Sequence, residues 1–153
     1  MDDKVVIGIA DDDGHSLLIE KNLKRSGIIN EIINFKDGQA TLDFFMRRGS
    51  GPRRVPDTHY LLLLDIRMPR VDGVEVLRQL KQDDELCKIP VIIITTTDDS
   101  REIEECHSLG CSNYITKPVS AKKFVEVIRQ LGLFLQVVEV PIINGEVKHG
   151  NKN

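Results

Sequence analysis

This chain of 153 residues lacks a basic excess: 21 Lys and Arg stand against 24 Asp and Glu, a formal net charge of −3 at pH 7. It therefore offers no electrostatic footprint for nucleic acid or an anionic membrane surface, and neither partner is expected. Paired cysteines are also missing. Cys87, Cys106 and Cys111 are odd in number and lack C-x-x-C spacing, which argues against a disulfide framework and for free thiols in a reducing cytoplasm. Long apolar runs are absent. The longest purely aliphatic stretches, Leu61 to Leu64 and Val91 to Ile94, reach four residues, whereas a membrane helix needs about 20. The acidic start MDDKVV has no apolar segment behind it, so no signal peptide is expected. No internal repeat, heptad array or low-complexity tract is found.

What is present is ordinary globular material: 41% hydrophobic residues, 29% charged residues and 11 glycines. One domain of about 150 residues is the expectation, large enough to bury roughly 68–70% of its unfolded surface without disulfides or a structural metal. Five short apolar segments read as strands: Val5 to Ala10, a weaker Glu31 to Phe35, Tyr60 to Leu64, Val91 to Thr95, and Asn113 to Thr116. Unbroken apolar runs without polar alternation are what parallel strands buried on both faces require. Helical spacing fills the gaps. Leu17, Leu18 and Leu23 run to Gly27; Ala40, Phe44 and Phe45 run to Gly49; Val74, Val76, Leu77 and Leu80 follow Gly73. Ile103 and Leu109 precede Gly110, and Phe124, Val127, Ile128, Leu131 and Leu135 mark a last helix with Ser120 at its start. Five strands alternating with five helices imply right-handed crossovers and a doubly wound α/β sheet.

In such a sheet the functional crevice lies beyond the carboxyl ends of the strands. Those positions hold Asp11-Asp12-Asp13 after the first strand, Asp65 after the third, Thr95-Thr96-Thr97 at the fourth and Lys117-Pro118 after the fifth. If the first and third strands are neighbours, Asp11, Asp12 and Asp65 converge beside a hydroxyl and an ammonium group. Crowded carboxylates repel one another, and a hard divalent cation such as Mg²⁺ relieves this by taking their oxygens as ligands. One carboxylate could instead act as a nucleophile and form an aspartyl phosphate, with metal, Lys and Thr on the phosphoryl oxygens.

These residues resemble the receiver domain of two-component response regulators. Asp11-Asp12 supplies the acidic pair, residues 65 to 73 read D-x-x-M-P-x-x-D-G, and Thr95 and Tyr-Ile-Thr-Lys-Pro at 114 to 118 complete the pattern. The match covers about residues 4 to 135. The resemblance implies a flavodoxin-like five-stranded parallel sheet, order 2-1-3-4-5, over residues 1–137. A tail would follow at 138–153, a dimerisation extension with a disordered end. It implies that Asp65 is the phosphoacceptor, taking its phosphoryl group from the phosphohistidine of a sensor histidine kinase or phosphotransfer protein. Mg²⁺ or Mn²⁺ would be held by Asp12, Asp65 and the Arg67 backbone carbonyl, with Asp11 acting through water. Lys117 would pair with Asp65 and then with the phosphoryl group, Thr95 would hydrogen-bond it, and Tyr114 would follow as an aromatic switch. The protein would then catalyse only its own phosphorylation and dephosphorylation.

Several residues carry plainer expectations. Asp13 sits where the first helix starts and is expected to cap it rather than touch metal. Pro118 is expected to fix a cis peptide after Lys117 that aims the lysine inward. Arg67, Thr96 and Thr97 occupy variable positions that tune access to the acyl phosphate in this family. His15, His59, His107 and His149 have no mutual ligand spacing and are assigned no metal. Arg47 to Thr58, rich in Gly, Pro and Arg, reads as a surface loop, and its basic cluster Arg47, Arg48, Arg53 and Arg54 as solvated. The residues after Leu135 are too few for a helix-turn-helix, so output is expected through protein contacts. The apolar extension, Arg129 to Leu135 followed by Val137 to Ile143, reads as an interface in preference to packing on its own chain. This ending resembles small regulators that accompany phytochromes and other sensor kinases, many of them homodimers through the fourth helix, fifth strand and fifth helix. Three rivals stay open: a relay or phosphate sink without its own output, a metal-dependent phosphohydrolase, and a flavodoxin-like cofactor binder.

Overall fold

A computed structural model of the protein describes residues 1–143. The chain alternates β1 (Val6–Ala10), α1 (Asp13–Arg25), β2 (Ile32–Phe35), α2 (Gly38–Phe45), β3 (Thr58–Leu64), α3 (Gly73–Lys81), β4 (Val91–Thr95), α4 (Ser100–Leu109), β5 (Asn113–Thr116) and α5 (Ala121–Leu135), and closes with the short β6 (Ile142–Ile143). β1 to β5 are parallel in the order β2-β1-β3-β4-β5. This is the expected doubly wound sheet.

The period of two along each strand divides the core into two layers. Ala10, Leu62, Leu64, Val91 and Ile93 face α2, α3 and α4, packing with Leu42, Val76, Leu77 and Cys106. Ile7, Ile9, Leu61, Leu63, Ile92 and Ile94 face α1 and α5, packing with Ile19, Leu23, Phe124, Ile128 and Leu135. Central strands therefore have to be apolar at every position, as the sequence is. Leu17, part of the expected apolar stripe, is exposed; α1 instead turns Ile19 and Leu23 inward.

Every helix starts on a side-chain cap: Asp12, Asp37, Asp72, Asp99 and Ser120 accept from backbone N–H groups of the first turn. The cap of α1 is Asp12, whose Oδ1 accepts from the His15 N–H at 2.8 Å, so the expectation for Asp13 is corrected by one residue. Asp13 lies inside the first turn, where its charge still favours the helix N-terminus.

The tail behaves differently from the expected interface. Val138 and Val140 pack on the α1–α5 layer, His59 Nδ1 lies 2.7 Å from the Val140 carbonyl oxygen, and β6 pairs antiparallel with the start of β3, Ile142 opposite His59 and Ile143 opposite Thr58. Ile143 is fully buried in the other layer. This segment thus straps one end of the sheet and covers apolar surface of its own chain. Leu133, Phe134 and Val137 remain exposed, and the polar end from residue 144 onward lies outside the described residues.

The 47–54 loop also departs from a purely solvated one. Arg54 is buried and its Nε donates to the Phe45 carbonyl at 2.9 Å, which satisfies the C-terminal region of α2 from the side.

Candidate functional site

The site is built by strand register. Ala10 is paired with Leu64 across β1 and β3, so the next residues, Asp11 and Asp65, emerge side by side. The Asp65 N–H donates to the Ala10 carbonyl at 2.9 Å, extending the ladder one step past the strand. On the other flank Thr95 is paired with Thr116, and the Lys117 N–H donates to the Thr95 carbonyl at 2.6 Å. Lys117 is aimed inward by this register alone. No peptide bond among the described residues is cis, so the Lys117–Pro118 bond is trans, against expectation. The physical reason is that the ladder already sets the direction of Lys117, leaving nothing to offset the trans preference of about 0.5–1 kcal/mol.

Behind Asp65 the β3–α3 loop folds tightly. The Gly73 N–H donates to the Ile66 carbonyl at 2.8 Å, and a Cβ on Gly73 would fall 2.1 Å from the Asp65 carbonyl oxygen. Only glycine lets the start of α3 approach the Asp65 backbone this closely.

Asp11, Asp65, Lys117 and Thr95 are all buried. Lys117 Nζ donates to Asp11 Oδ2 at 2.7 Å and stands 3.5 Å from Asp65 Oδ2. Asp11 Oδ1 accepts from the Asp12 N–H at 2.7 Å. Burial pushes the Asp11 carboxyl up to about 6, the Lys117 hydrogen bond opposes the rise, and the neighbouring Asp65 charge adds to it. Two polar atoms here have no partner: Asp65 Oδ1 and Thr95 Oγ1. Each costs roughly 1–3 kcal/mol while unpaired, so the fold holds a carboxylate oxygen and a hydroxyl ready for a ligand. An acidic donor set with one unsatisfied carboxylate oxygen fits a hard divalent cation.

The remaining expected residues lie around this centre. Tyr114 is half-buried beside the α2–α4 layer, and its hydroxyl donates to the Thr97 carbonyl at 2.9 Å, tying β5 to the β4–α4 loop. Burial pushes its phenol up to about 12. Thr96 is exposed. Arg67 pairs with Glu102 of α4 at 3.4 Å. The sequence reading missed two participants. Glu102 is one. His15 is the other: its Nδ1 is 3.2 Å from Asp12 Oδ2, 3.6 Å from Asp11 Oδ1 and 2.9 Å from Lys117 Nζ. Its spacing of three and four residues from two carboxylates at a helix start was the available signal. The other three histidines lie elsewhere or outside the described residues. Cys106 and Cys111 are buried thiols pushed up by desolvation, and Cys87 is exposed.

Known proteins share this arrangement. The family model of the response regulator receiver domain matches residues 6–129. A receiver domain structure from Rhodospirillum rubrum is 43% identical and superposes with a TM-score of 0.84, covering 92% of this chain and 99% of that one. Response regulator Rcp1 of Synechocystis sp. (strain ATCC 27184 / PCC 6803 / Kazusa) is 32% identical over 142 residues, 90% of this chain and 93% of Rcp1. The structure of its Mn²⁺-bound form superposes with a TM-score of 0.78, covering 90% of this chain and 99% of that one. The phosphorylated cyanobacterial phytochrome response regulator RcpA is 27% identical with a TM-score of 0.77, covering 90% of this chain and 98% of that one. With the sheet order, the strand-end carboxylates and the inward lysine in the same places as the sequence signature, the chain belongs to the response regulator receiver domain family of two-component signalling.

Proposed function

We propose that this chain works as a single-domain response regulator that accepts a phosphoryl group on Asp65 and signals by changing a protein interaction surface. The observation that carries the reading is the buried Asp65 carboxylate, its Oδ1 without a partner, beside the Lys117 ammonium and the equally unpartnered Thr95 hydroxyl.

The donor would be a phosphohistidine of a sensor histidine kinase or phosphotransfer protein. An Asp65 oxygen attacks phosphorus as the phosphorus–nitrogen bond breaks, and the departing imidazole keeps that electron pair and takes up a proton. Little covalent work is left to the protein, so positioning and charge supply most of the acceleration. Lys117, already within reach of Asp65, offsets the charge gathered on the phosphoryl oxygens. Thr95 donates its buried hydroxyl to one of them and so gains the partner it lacks. Asp12, Asp65 and the Arg67 carbonyl would hold Mg²⁺ or Mn²⁺, with Asp11 acting through water, and the ion would supply charge neutralisation between carboxylates and phosphoryl group. The Mn²⁺-bound form of Rcp1 supports that assignment.

Movement of Thr95 would be felt by the Thr97 carbonyl two residues on, and through it by the Tyr114 hydroxyl. That links the site to the α4–β5–α5 face. Exposed Leu133, Phe134 and Val137 at the end of α5 support a homodimer contact adjoining that face. The likeness to RcpA supports a kinase of phytochrome type as donor, and an exposed free thiol at Cys87 suits the cytoplasm. Catalysis would be confined to the protein's own phosphorylation and dephosphorylation.

The test is intact mass after incubation with acetyl phosphate in Mg²⁺ and in EDTA, beside Asp65→Asn. Gain of one phosphoryl group in Mg²⁺ only, absent from the variant, is the expected result. Labelling at another residue, or steady release of phosphate from small phosphomonoesters, overturns the reading.

A further inference from the structure

His15 has no part in the chemistry described so far, yet it is built into the edge of the acidic cluster. Its backbone N–H donates to Asp12 Oδ1, which leaves Asp12 Oδ2 free on the side of the imidazole, 3.2 Å from Nδ1. The ring is steadied from behind by Phe124 of α5, with centroids 5.6 Å apart and planes tilted by 50°. One donor atom from each of Asp11, Asp12 and His15 lies within 4.8 Å of the others.

The chemistry of these three atoms is the informative part. In the tautomer that accepts from the Lys117 ammonium, 2.9 Å away, Nδ1 directs its lone pair into the cluster. Three lone-pair donors therefore converge, and the cation that meets two of them in this structure is the Lys117 ammonium, on Asp11 Oδ2 and on His15 Nδ1. Adjacent ligands of an octahedral ion with bonds near 2.1 Å stand about 3.0 Å apart. The separations of 3.2 and 3.6 Å between Nδ1 and the two carboxylates are close to that edge, so small side-chain rotations suffice to bring all three onto one ion. Lys117 would keep its partners Asp11 and Asp65 on releasing His15. Asp65, the other carboxylate beside Lys117, carries a further buried oxygen without a partner, Oδ1.

We propose that His15 is a nitrogen ligand in the divalent-cation site, making this receiver select a borderline transition ion such as Mn²⁺ or Co²⁺ over Mg²⁺. The inference rests on the acidic cluster being the cation site of the proposed function. An imidazole adds little for Mg²⁺, which favours oxygen and dehydrates reluctantly, and much for ions that take nitrogen readily.

The experiment is Mn²⁺ binding to the full chain at pH 8, followed by pulsed EPR, for the wild type, His15→Phe and Asp12→Asn. Phe retains the ring against Phe124 and removes the nitrogen. Supporting the proposal, histidine nitrogen couples to the Mn²⁺ spin in the wild type and not in His15→Phe. The Co²⁺ to Mg²⁺ affinity ratio then falls at least about tenfold in that variant, as loss of a ligand should cost no less than loss of an outer-shell partner. Mn²⁺ bound in an Asp12-dependent way without nitrogen coupling overturns the role of His15 and leaves the oxygen site standing. No Mn²⁺ binding by the wild type overturns both.

Discussion

Lys117 donates to Asp11 at 2.7 Å while standing 3.5 Å from Asp65, so the ammonium of the site belongs first to Asp11. Asp65 is left with one oxygen unpartnered. A single lysine thus holds two buried carboxylates together without saturating Asp65.

The crowding has a pH signature. Asp11 is raised from 3.8 to about 6, chiefly by burial, so the fold favours its protonated form. The resulting stabilisation is complete below about pH 4 and lost as pH rises through about 6, a change of about 3 kcal/mol for this group. Asp11→Asn, which cannot ionise, is expected to be more stable than the wild type at pH 7.5 in EDTA by about 1–3 kcal/mol, with a flatter profile between pH 4.5 and 7.5. Urea denaturation across that range checks it; a variant less stable at neutral pH would show that Asp11 serves mainly as the anchor of Lys117.

Arg67 and Glu102 form an exposed pair across the β3–α3 loop and α4. Exposed pairs contribute about 0–1 kcal/mol, so Glu102→Gln should leave the melting temperature nearly unchanged. Freed from α4, Arg67 can turn toward the phosphoryl group and cover it, and the expected effect is a longer-lived aspartyl phosphate, measured as slower phosphate release from protein labelled with acetyl phosphate. An unchanged lifetime in Glu102→Gln together with Arg67→Ala would remove Arg67 from the site's control.

The strap at the C-terminal end makes unequal demands on adjacent residues. Ile143 is fully buried and Ile142 is 48% exposed. Ile143→Ala should therefore cost about 2 kcal/mol or more, whereas Ile142→Ala should cost well under 1 kcal/mol. Equal midpoints in urea for the two variants would mean that β6 contributes nothing to the fold.

Self-association, if it uses the end of α5, depends on side chains the fold does not bury. Phe134→Asp should shift a dimer toward monomer by light scattering while leaving the urea midpoint within about 0.5 kcal/mol of the wild type. An unchanged mass at matched concentration would move the contact elsewhere.

The sequence alone determined the architecture and the chemical centre because both are written in local pattern. Four-residue aliphatic runs bounded by turn signals read as strands buried on two faces, apolar residues at helical spacing cover them, and right-handed winding brings the carboxylates at their ends to one edge of the sheet. What the tertiary structure decided depends on atoms distant in sequence or on shifts of a single residue. Asp12 rather than Asp13 caps α1 because a helix start is set by which oxygen meets an N–H group. Lys117 reaches His15 across 102 positions and points inward with a trans peptide because the β4–β5 ladder aims it. Arg67 meets Glu102 because α4 packs beside the β3–α3 loop. The apolar tail folds back through β6 because β3 extends beyond its neighbours and offers unpaired backbone there, and period and composition carry no information about that open edge.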